Sequence, residues 1–267
     1  AHLDDKKSPF ELLDARNKYT EQAIKGVMEA SDVDYTQLEF VKGRDFQLDR
    51  NYMLDVLRMA ADTTFSRCKR AASEVVRFGD NPKMGGFIYP LMQNQDFVDL
   101  EVDVAYGGID QRGIYMLGRE MLPDRGSKKP TCVFSPLVPG LQGGKMSASD
   151  DTSKIEVTDS SEAVREKVMN AYCPQGEKKE NGVLAYLKHL IFPVLDNEFL
   201  IKRKDEYGGD LSFESYSEVE DLFLQGELHP QDLKKAVARE INQLLQPIRG
   251  RFEGKQDLIE KAYPNQD

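Results

Sequence analysis

The sequence predicts an α/β part built on a parallel sheet, followed from about Val157 by a part in which helices dominate. Three observations predict it. Val102-Asp-Val-Ala105 runs into a glycine turn and then a helical stretch to Met121, the strand, turn, helix order of a parallel-sheet unit. Thr131-Cys-Val-Phe134 offers a second short strand. Beyond Val157 the apolar spacing is almost entirely helical.

The 267 residues are about twice the length at which single cores are most common, so one large or two modest domains are expected. Phe10, Leu12, Leu13, Ala15, Tyr19, Ala23, Ile24 and Val27 recur at mainly helical spacing behind Ser8-Pro9, a cap followed by proline at the first helical position. This predicts a helix to Glu29. Leu38-Glu-Phe-Val41 is a short apolar run with a β-branched end and predicts a strand. A helix follows from about Asn51 to Phe65 and continues over Glu74 to Val76, Asn81-Pro82 breaks it, and Ile88 to Met92 opens another segment. Pro136 and Pro139 close the second strand, and Leu141-Gln-Gly-Gly-Lys145 is a glycine loop. Helices are predicted over 161–171, 182–192, 217–224 and 232–252. No repeat or low-complexity tract is visible.

No apolar run approaches the roughly 20 residues of a membrane span. The start, Ala1-His-Leu-Asp-Asp-Lys-Lys, is not a signal peptide, and Cys68, Cys132 and Cys173 are scattered and odd in number, so a soluble protein in a reducing, cytoplasmic setting is expected. Without a CxxC or His/Cys cluster no zinc site is expected, and the cysteines read as small buried hydrophobes. The net charge of −10 argues against coating nucleic acid through bulk positive charge. A local basic face would have to come from Lys234, Lys235, Arg239, Arg249, Arg251 and Lys255, a pattern that an ordinary surface helix shares.

Four motifs carry chemistry. Gly143-Gly144-Lys145-Met146-Ser147-Ala148-Ser149 is a glycine-flanked loop with one lysine and two hydroxyls, able to close over a triphosphate; the plainer reading is an exposed polar turn. Tyr89, Gln93 and Asp96 stand at i, i+4, i+7 and share one helix side, where they either line a small polar pocket or meet solvent. Gly107-Gly108-Ile-Asp110-Gln111-Arg112 lies at the carboxyl end of a strand, where open α/β sheets bind ligands; an aspartate-capped strand-to-helix turn is the alternative. Tyr207-Gly-Gly-Asp210 and His229-Pro230-Gln-Asp232 lie in the helical part, the latter reading as a helix start with Asp232 as its cap.

Together, and in this order, these motifs resemble class I tyrosyl-tRNA synthetases of the archaeal and eukaryotic kind, across essentially the whole chain from Ala1-His-Leu-Asp through Phe46-Gln47-Leu48 and Asn181-Gly-Val-Leu to Ala262-Tyr-Pro. The resemblance implies a Rossmann-like catalytic domain over 1–157 and an all-helical anticodon-binding domain over 158–267. It implies activation of L-tyrosine by ATP, with Mg²⁺ on the phosphates, and transfer to tRNA(Tyr). Lys145 to Ser149 then form the family's signature loop, with Lys145 and Ser149 catalytic and Met146, Ser147 and Ala148 beside ATP. That loop is usually Lys-Met-Ser-Lys-Ser or Lys-Met-Ser-Ser-Ser, so Ala148 departs from it. By resemblance Tyr89 and Gln93 hold the amino group of tyrosine, Asp96 its hydroxyl, and Gln111 also touches tyrosine. Gly108 and Asp110 meet the ATP ribose, Tyr207 stacks on an anticodon base, Asp232 reads a base edge with His229 beside it, and Arg70 and Arg112 contact the acceptor end. A homodimer through the α/β part is implied.

Family members begin several dozen residues earlier, with a His-x-Gly-His-like ATP motif and a tyrosine that shares the substrate hydroxyl; His2, His189 and His229 form no such pair. The sequence therefore reads as lacking the front of the site, and it is expected to activate tyrosine poorly by itself. Two alternatives accompany this reading. One is a tryptophanyl-tRNA synthetase, which can carry Lys-Met-Ser-Ala-Ser, and the other is a truncated, non-catalytic tRNA-binding fragment.

Overall fold

A computed structural model of the chain describes residues 9–144, 146 and 150–264. They pack as two compact units, one made of the residues up to Asn17 with Glu39–Leu137, the other of Lys18–Leu38 with the residues from Val138 onward. The division falls inside the first helix, α1 (Leu13–Ala30), which a 3-10 turn at Phe10–Leu12 introduces.

The first unit contains α2 (Arg50–Asp62), α3 (Phe65–Ala72), α4 (Gly85–Asp99), β1 (Val104–Gly108), α5 (Arg112–Met121) and β2 (Thr131–Ser135). Asp49 caps α2 by accepting from Asn51 N, and Thr64 caps α3 by accepting from Arg67 N. β1 and β2 are parallel, in register from Val104 opposite Thr131 to Gly108 opposite Ser135. Tyr52, Val56 and Met59 recur at helical spacing on α2 and enter one core with Cys68, Phe87, Leu91, Leu117 and Met121. A second cluster of Ala72, Val76, Ala105, Ile114 and Tyr115 fastens the sheet to the helices. Alternation along β1 buries Ala105 and exposes Val104 and Tyr106.

Several local expectations need correction. Leu38–Val41 is not a strand: the backbone there joins no sheet ladder among the described residues, Leu38 N closing a turn on Tyr35 O instead, and Leu38, Phe40 and Val41 are exposed. The helix expected over 51–65 stops at Asp62, because Thr63 is extended and Thr64 starts α3. α3 in turn ends at Ala72, so Glu74–Val76 does not continue it. The first strand begins at Val104 and runs through both glycines, since Gly107 and Gly108 pair with Phe134 and Ser135; the turn is the 3-10 turn Ile109–Gln111.

The second unit contains α6 (Ser161–Met169), α7 (Gly182–Tyr186), β3 (Phe199–Ile201), β4 (Leu211–Phe213), α8 (Tyr216–Leu224), α9 (Pro230–Phe252) and α10 (Gln256–Ala262). α9 is its spine, burying Leu233, Val237, Ile241, Leu245 and Ile248 against α6, α7 and β3. The part is therefore not all-helical: β3 and β4 form an antiparallel ribbon, each strand only three residues long and too short to show a period in the sequence. α7 continues as a π turn over Leu187–Ile191 and a 3-10 turn over Phe192–Val194, where Pro193 has no N–H to donate. No helix among the described residues is long and apolar enough to cross a membrane. Cys68 and Cys173 are buried and Cys132 partly so, all with free thiols.

Candidate functional site

α4 carries Tyr89, Gln93 and Asp96, all half-buried. Tyr89 packs against the cluster around Tyr115 and Ile114. Gln93 Nε2 donates to Gln111 Oε1 at 3.1 Å, which joins α4 to the turn that follows β1. Gln93 Oε1 is buried and accepts no hydrogen bond, a costly state for an amide oxygen unless a donor arrives.

Asp96 faces α2 and the segment before it. Its Oδ1 lies 2.7 Å from the Tyr52 hydroxyl, and Gln47 Nε2 donates to Oδ1 at 2.9 Å and Oδ2 at 3.2 Å. Burial pushes the Asp96 carboxyl above the usual carboxylate range, while the Gln47 and Tyr52 donors act against it and the nearby Asp99 charge adds to it. The Tyr52 phenol is pushed up in turn, by burial first and then by donation to Asp96.

At the carboxyl end of β1 the two glycines leave room for neighbouring side chains. A Cβ on Gly107 would stand 2.6 Å from the Tyr115 hydroxyl, and one on Gly108 2.5 Å from Asp110 Oδ1. Tyr115 donates to Tyr106 O at 3.1 Å, so the phenol fixes the strand end beside half-buried Asp110. Gly113 packs against the Ala71 carbonyl, where an added Cβ would be only 2.4 Å away. Arg70 and Arg112, both exposed, flank this contact between α3 and α5.

In the second unit, Gly140 N donates to Gly144 O at 3.0 Å and Leu141 N to Ser153 O at 2.9 Å, in the residues that flank 145–149. Gly143 and Gly144 adopt φ of +83° and +67°, which favour glycine. Met146 is exposed; Lys145, Ser147, Ala148 and Ser149 lie outside the described residues. Tyr207 ends a 3-10 turn in the ribbon loop with its ring 62% exposed, ahead of Gly208 and Gly209 at φ +91° and +73°. The cap of α9 is His229 rather than Asp232: His229 Nδ1 accepts from Gln231 N at 3.1 Å, and Asp232 stands in the first turn, ion-paired to Lys235 at 3.4 Å. β3 packs on α9, yet among the described residues no hydrogen bond or ring contact joins Tyr207 to His229 or Asp232.

The expected basic face is largely tied inward. Lys234 donates to Met169 O, Arg239 to Leu200 O and Glu240, Arg249 to Asp159 O and Asn242, and Arg251 to Glu29 and Tyr35.

The family model for class I tRNA synthetases (W and Y) matches residues 1–246. The tyrosine–tRNA ligase of Haloarcula marismortui is 58% identical over 267 residues, covering 99% of this chain and 77% of that protein. The chain belongs to the tyrosyl-tRNA synthetase family. The cytoplasmic tyrosine–tRNA ligase of Danio rerio is 43% identical over 99% of this chain and 50% of its own length. Among solved structures, tyrosyl-tRNA synthetase from Archaeoglobus fulgidus, complexed with L-tyrosine, superposes with a TM-score of 0.85 at 40% identity, covering 94% of this chain and 76% of that one.

Within this tyrosyl-tRNA synthetase fold the structure joins Gln93 to Gln111 and sets Asp96 on the same helix. It adds Gln47 and Tyr52, which sequence reasoning did not single out. Tyr52 falls in the apolar stripe of α2 and reads as core, and Gln47 lies in an irregular segment without a period. Their only signal is the proximity of a carboxylate some 45 residues away, which spacing does not reveal.

Proposed function

We propose that this member of the family activates L-tyrosine with ATP, giving tyrosyl-adenylate and pyrophosphate, and passes the tyrosyl group to tRNA(Tyr). The observation that carries the reading is the buried Gln93 oxygen with no donor, on the same helix as a carboxylate that still has acceptor capacity. An amino acid with an ammonium at one end and a phenol at the other satisfies both. Tyr89, Gln93 and Gln111 bind its amino end and Asp96 accepts from its hydroxyl. Phenylalanine would leave the remaining acceptor position of Asp96 without a donor.

Gly108 and Asp110 take the ribose of ATP, the backbone approaching closely and the carboxylate accepting from hydroxyls. Lys145, with Ser147 and Ser149, offsets the charge that develops on pyrophosphate, and Ala148 contributes no side-chain donor. The substrate carboxylate attacks the α-phosphorus in line, so positioning supplies most of the acceleration and no covalent enzyme intermediate is needed. Mg²⁺ would neutralise phosphate charge, arriving bound to the triphosphate.

Residues 1–157 serve activation and 158–267 serve anticodon reading in this account. Tyr207 stacks on an unpaired base and Asp232 accepts from a base edge beside His229, which suits the exposed ring in the ribbon loop. Arg70 and Arg112 meet the acceptor end. A homodimer and a cytoplasmic setting belong to the same reading; the outward apolar side of α2, where Leu54 and Leu57 are exposed, supports the first, and sedimentation tests it.

ATP–pyrophosphate exchange with tyrosine, tryptophan and phenylalanine, each separately, decides the matter. Exchange with tyrosine alone is expected. Exchange with tryptophan would move the chain to the tryptophanyl reading, and tRNA binding without exchange would leave a non-catalytic binding protein.

A further inference from the structure

Asp96 is held before any substrate arrives. Tyr52 is 1% exposed, set edge-on against Phe46 with ring centroids 5.7 Å apart, so its hydroxyl has little freedom. That hydroxyl has one proton and two acceptors in reach, Asp96 Oδ1 at 2.7 Å and Met92 O at 2.8 Å. Donation to a charged oxygen is the stronger of the two. The Gln47 amide adds a second short donor to Oδ1 at 2.9 Å and only a longer one, 3.2 Å, to Oδ2. A carboxylate oxygen accepts about two hydrogen bonds. Oδ1 is therefore full, and Oδ2 retains room for a donor.

We propose that Gln47 and Tyr52 are specificity-determining positioning residues: by loading one oxygen of Asp96 they keep the carboxylate ionised and oriented, with its other oxygen open to the phenolic hydroxyl of the substrate. The inference rests on the reading of Asp96 as the hydroxyl partner of tyrosine. The titratable groups facing Asp96 among the described residues are Tyr52 from α2 and Asp99 from α4 itself; Gln47 faces it as a neutral donor. No cation among them pairs with it, so the two neutral donors lead what opposes burial. Without them Asp96 holds its proton to higher pH. A protonated acid is itself a donor and can turn, and the phenol of tyrosine then meets a competitor. Phenylalanine has no hydroxyl and loses nothing by the change.

The test uses pyrophosphate exchange on the full-length protein with tyrosine and with phenylalanine, from about pH 5.5 to 8.5. Tyr52→Phe removes one oxygen, and Gln47→Glu replaces a donor by a like charge of nearly the same shape. Each variant is expected to raise the tyrosine KM about tenfold or more with kcat little changed, not to lower kcat/KM for phenylalanine, and to move the acid limb for tyrosine to higher pH. Asp96→Asn is the control. Should it abolish discrimination while Tyr52→Phe and Gln47→Glu keep both the parent ratio and the acid limb, the positioning role is overturned. If Asp96→Asn also keeps the ratio, the underlying reading of Asp96 falls with it. Titration of the Asp96 carboxyl carbon by NMR is independent of turnover and of folding losses in either variant alone: an unmoved midpoint in whichever variant folds overturns the proposal, and an upward shift supports it.

Discussion

Replacing Gly113 by alanine should destabilise the first unit although alanine is the better helix former. In an open helix the exchange stabilises by up to about 1 kcal/mol. At Gly113 the added Cβ would lie 2.4 Å from Ala71 O, 3.2 Å from Ala71 C and 3.3 Å from Ala71 Cα. The first distance is roughly 1 Å short of ordinary van der Waals contact, and the obstacle is backbone that cannot rotate away. α3 and α5 must part, at a cost of about 2–3 kcal/mol for overpacking, leaving a net loss of about 1–2 kcal/mol after the helix-propensity gain. Thermal unfolding should fall by about 2–6 °C. Gly250→Ala, at an exposed position near the end of α9 where nothing lies within 4 Å, is the internal control and should gain roughly a few tenths of a kcal/mol. Urea denaturation reads both variants on one scale. A Gly113→Ala protein as stable as its parent would refute the packing argument, since only the helix-propensity term would then be left. Because Gly113 follows Gln111 by two residues, the tyrosine KM should also rise.

Tyr207→Ala should weaken tRNA binding by about 1–3 kcal/mol, the worth of one stacked base, with tyrosine-dependent exchange unaltered; filter binding and exchange on the same preparation check it. Arg251 and Tyr35 hold the Glu29 carboxyl down to about 2 from an ordinary 4.5. A depressed carboxyl contributes stability that is complete above its ordinary value and is lost as pH falls from about 4.5 towards 2, so acid unfolding of Arg251→Met should show a shallower pH dependence in that window than the parent. Binding of tRNA should lose affinity with salt only gently, with a log–log slope of about −3 for roughly four phosphate contacts, and a slope beyond about −6 would contradict the inward ties of the basic side chains.

How much was legible depended on the length of the signal. α9 repeats its apolar pattern over 23 residues, and α5 and α6 over about two turns each, so periodicity found them. The β3–β4 ribbon offers three residues per strand, and Leu38–Val41 has the composition of a strand yet joins neither sheet. Pairing is a non-local property, so composition promised a strand where none formed and concealed two that did. Within β1 the glycines that read as a turn are strand, because β2 lies in register beside them and the missing side chains make room for Tyr115 and Asp110.

Charge is where counting and geometry part most clearly. The basic residues of the second unit suggest a phosphate-binding face when read as a string. Three-dimensional packing shows the heads of Lys234, Arg239 and Arg249 turned to backbone carbonyls and that of Arg251 to a carboxylate, where they fasten α9 to α6, β3 and α1. Long cationic side chains fill such roles because their stems pack while their heads satisfy carbonyls. With these four cations so occupied in a chain of net charge −10, α9 gains little from counterion release. Under the proposed function, tRNA affinity must then come from contacts that discriminate, the Tyr207 ring and the Asp232 edge above all. Losing either should therefore cost selectivity between tRNAs, not merely general affinity for RNA.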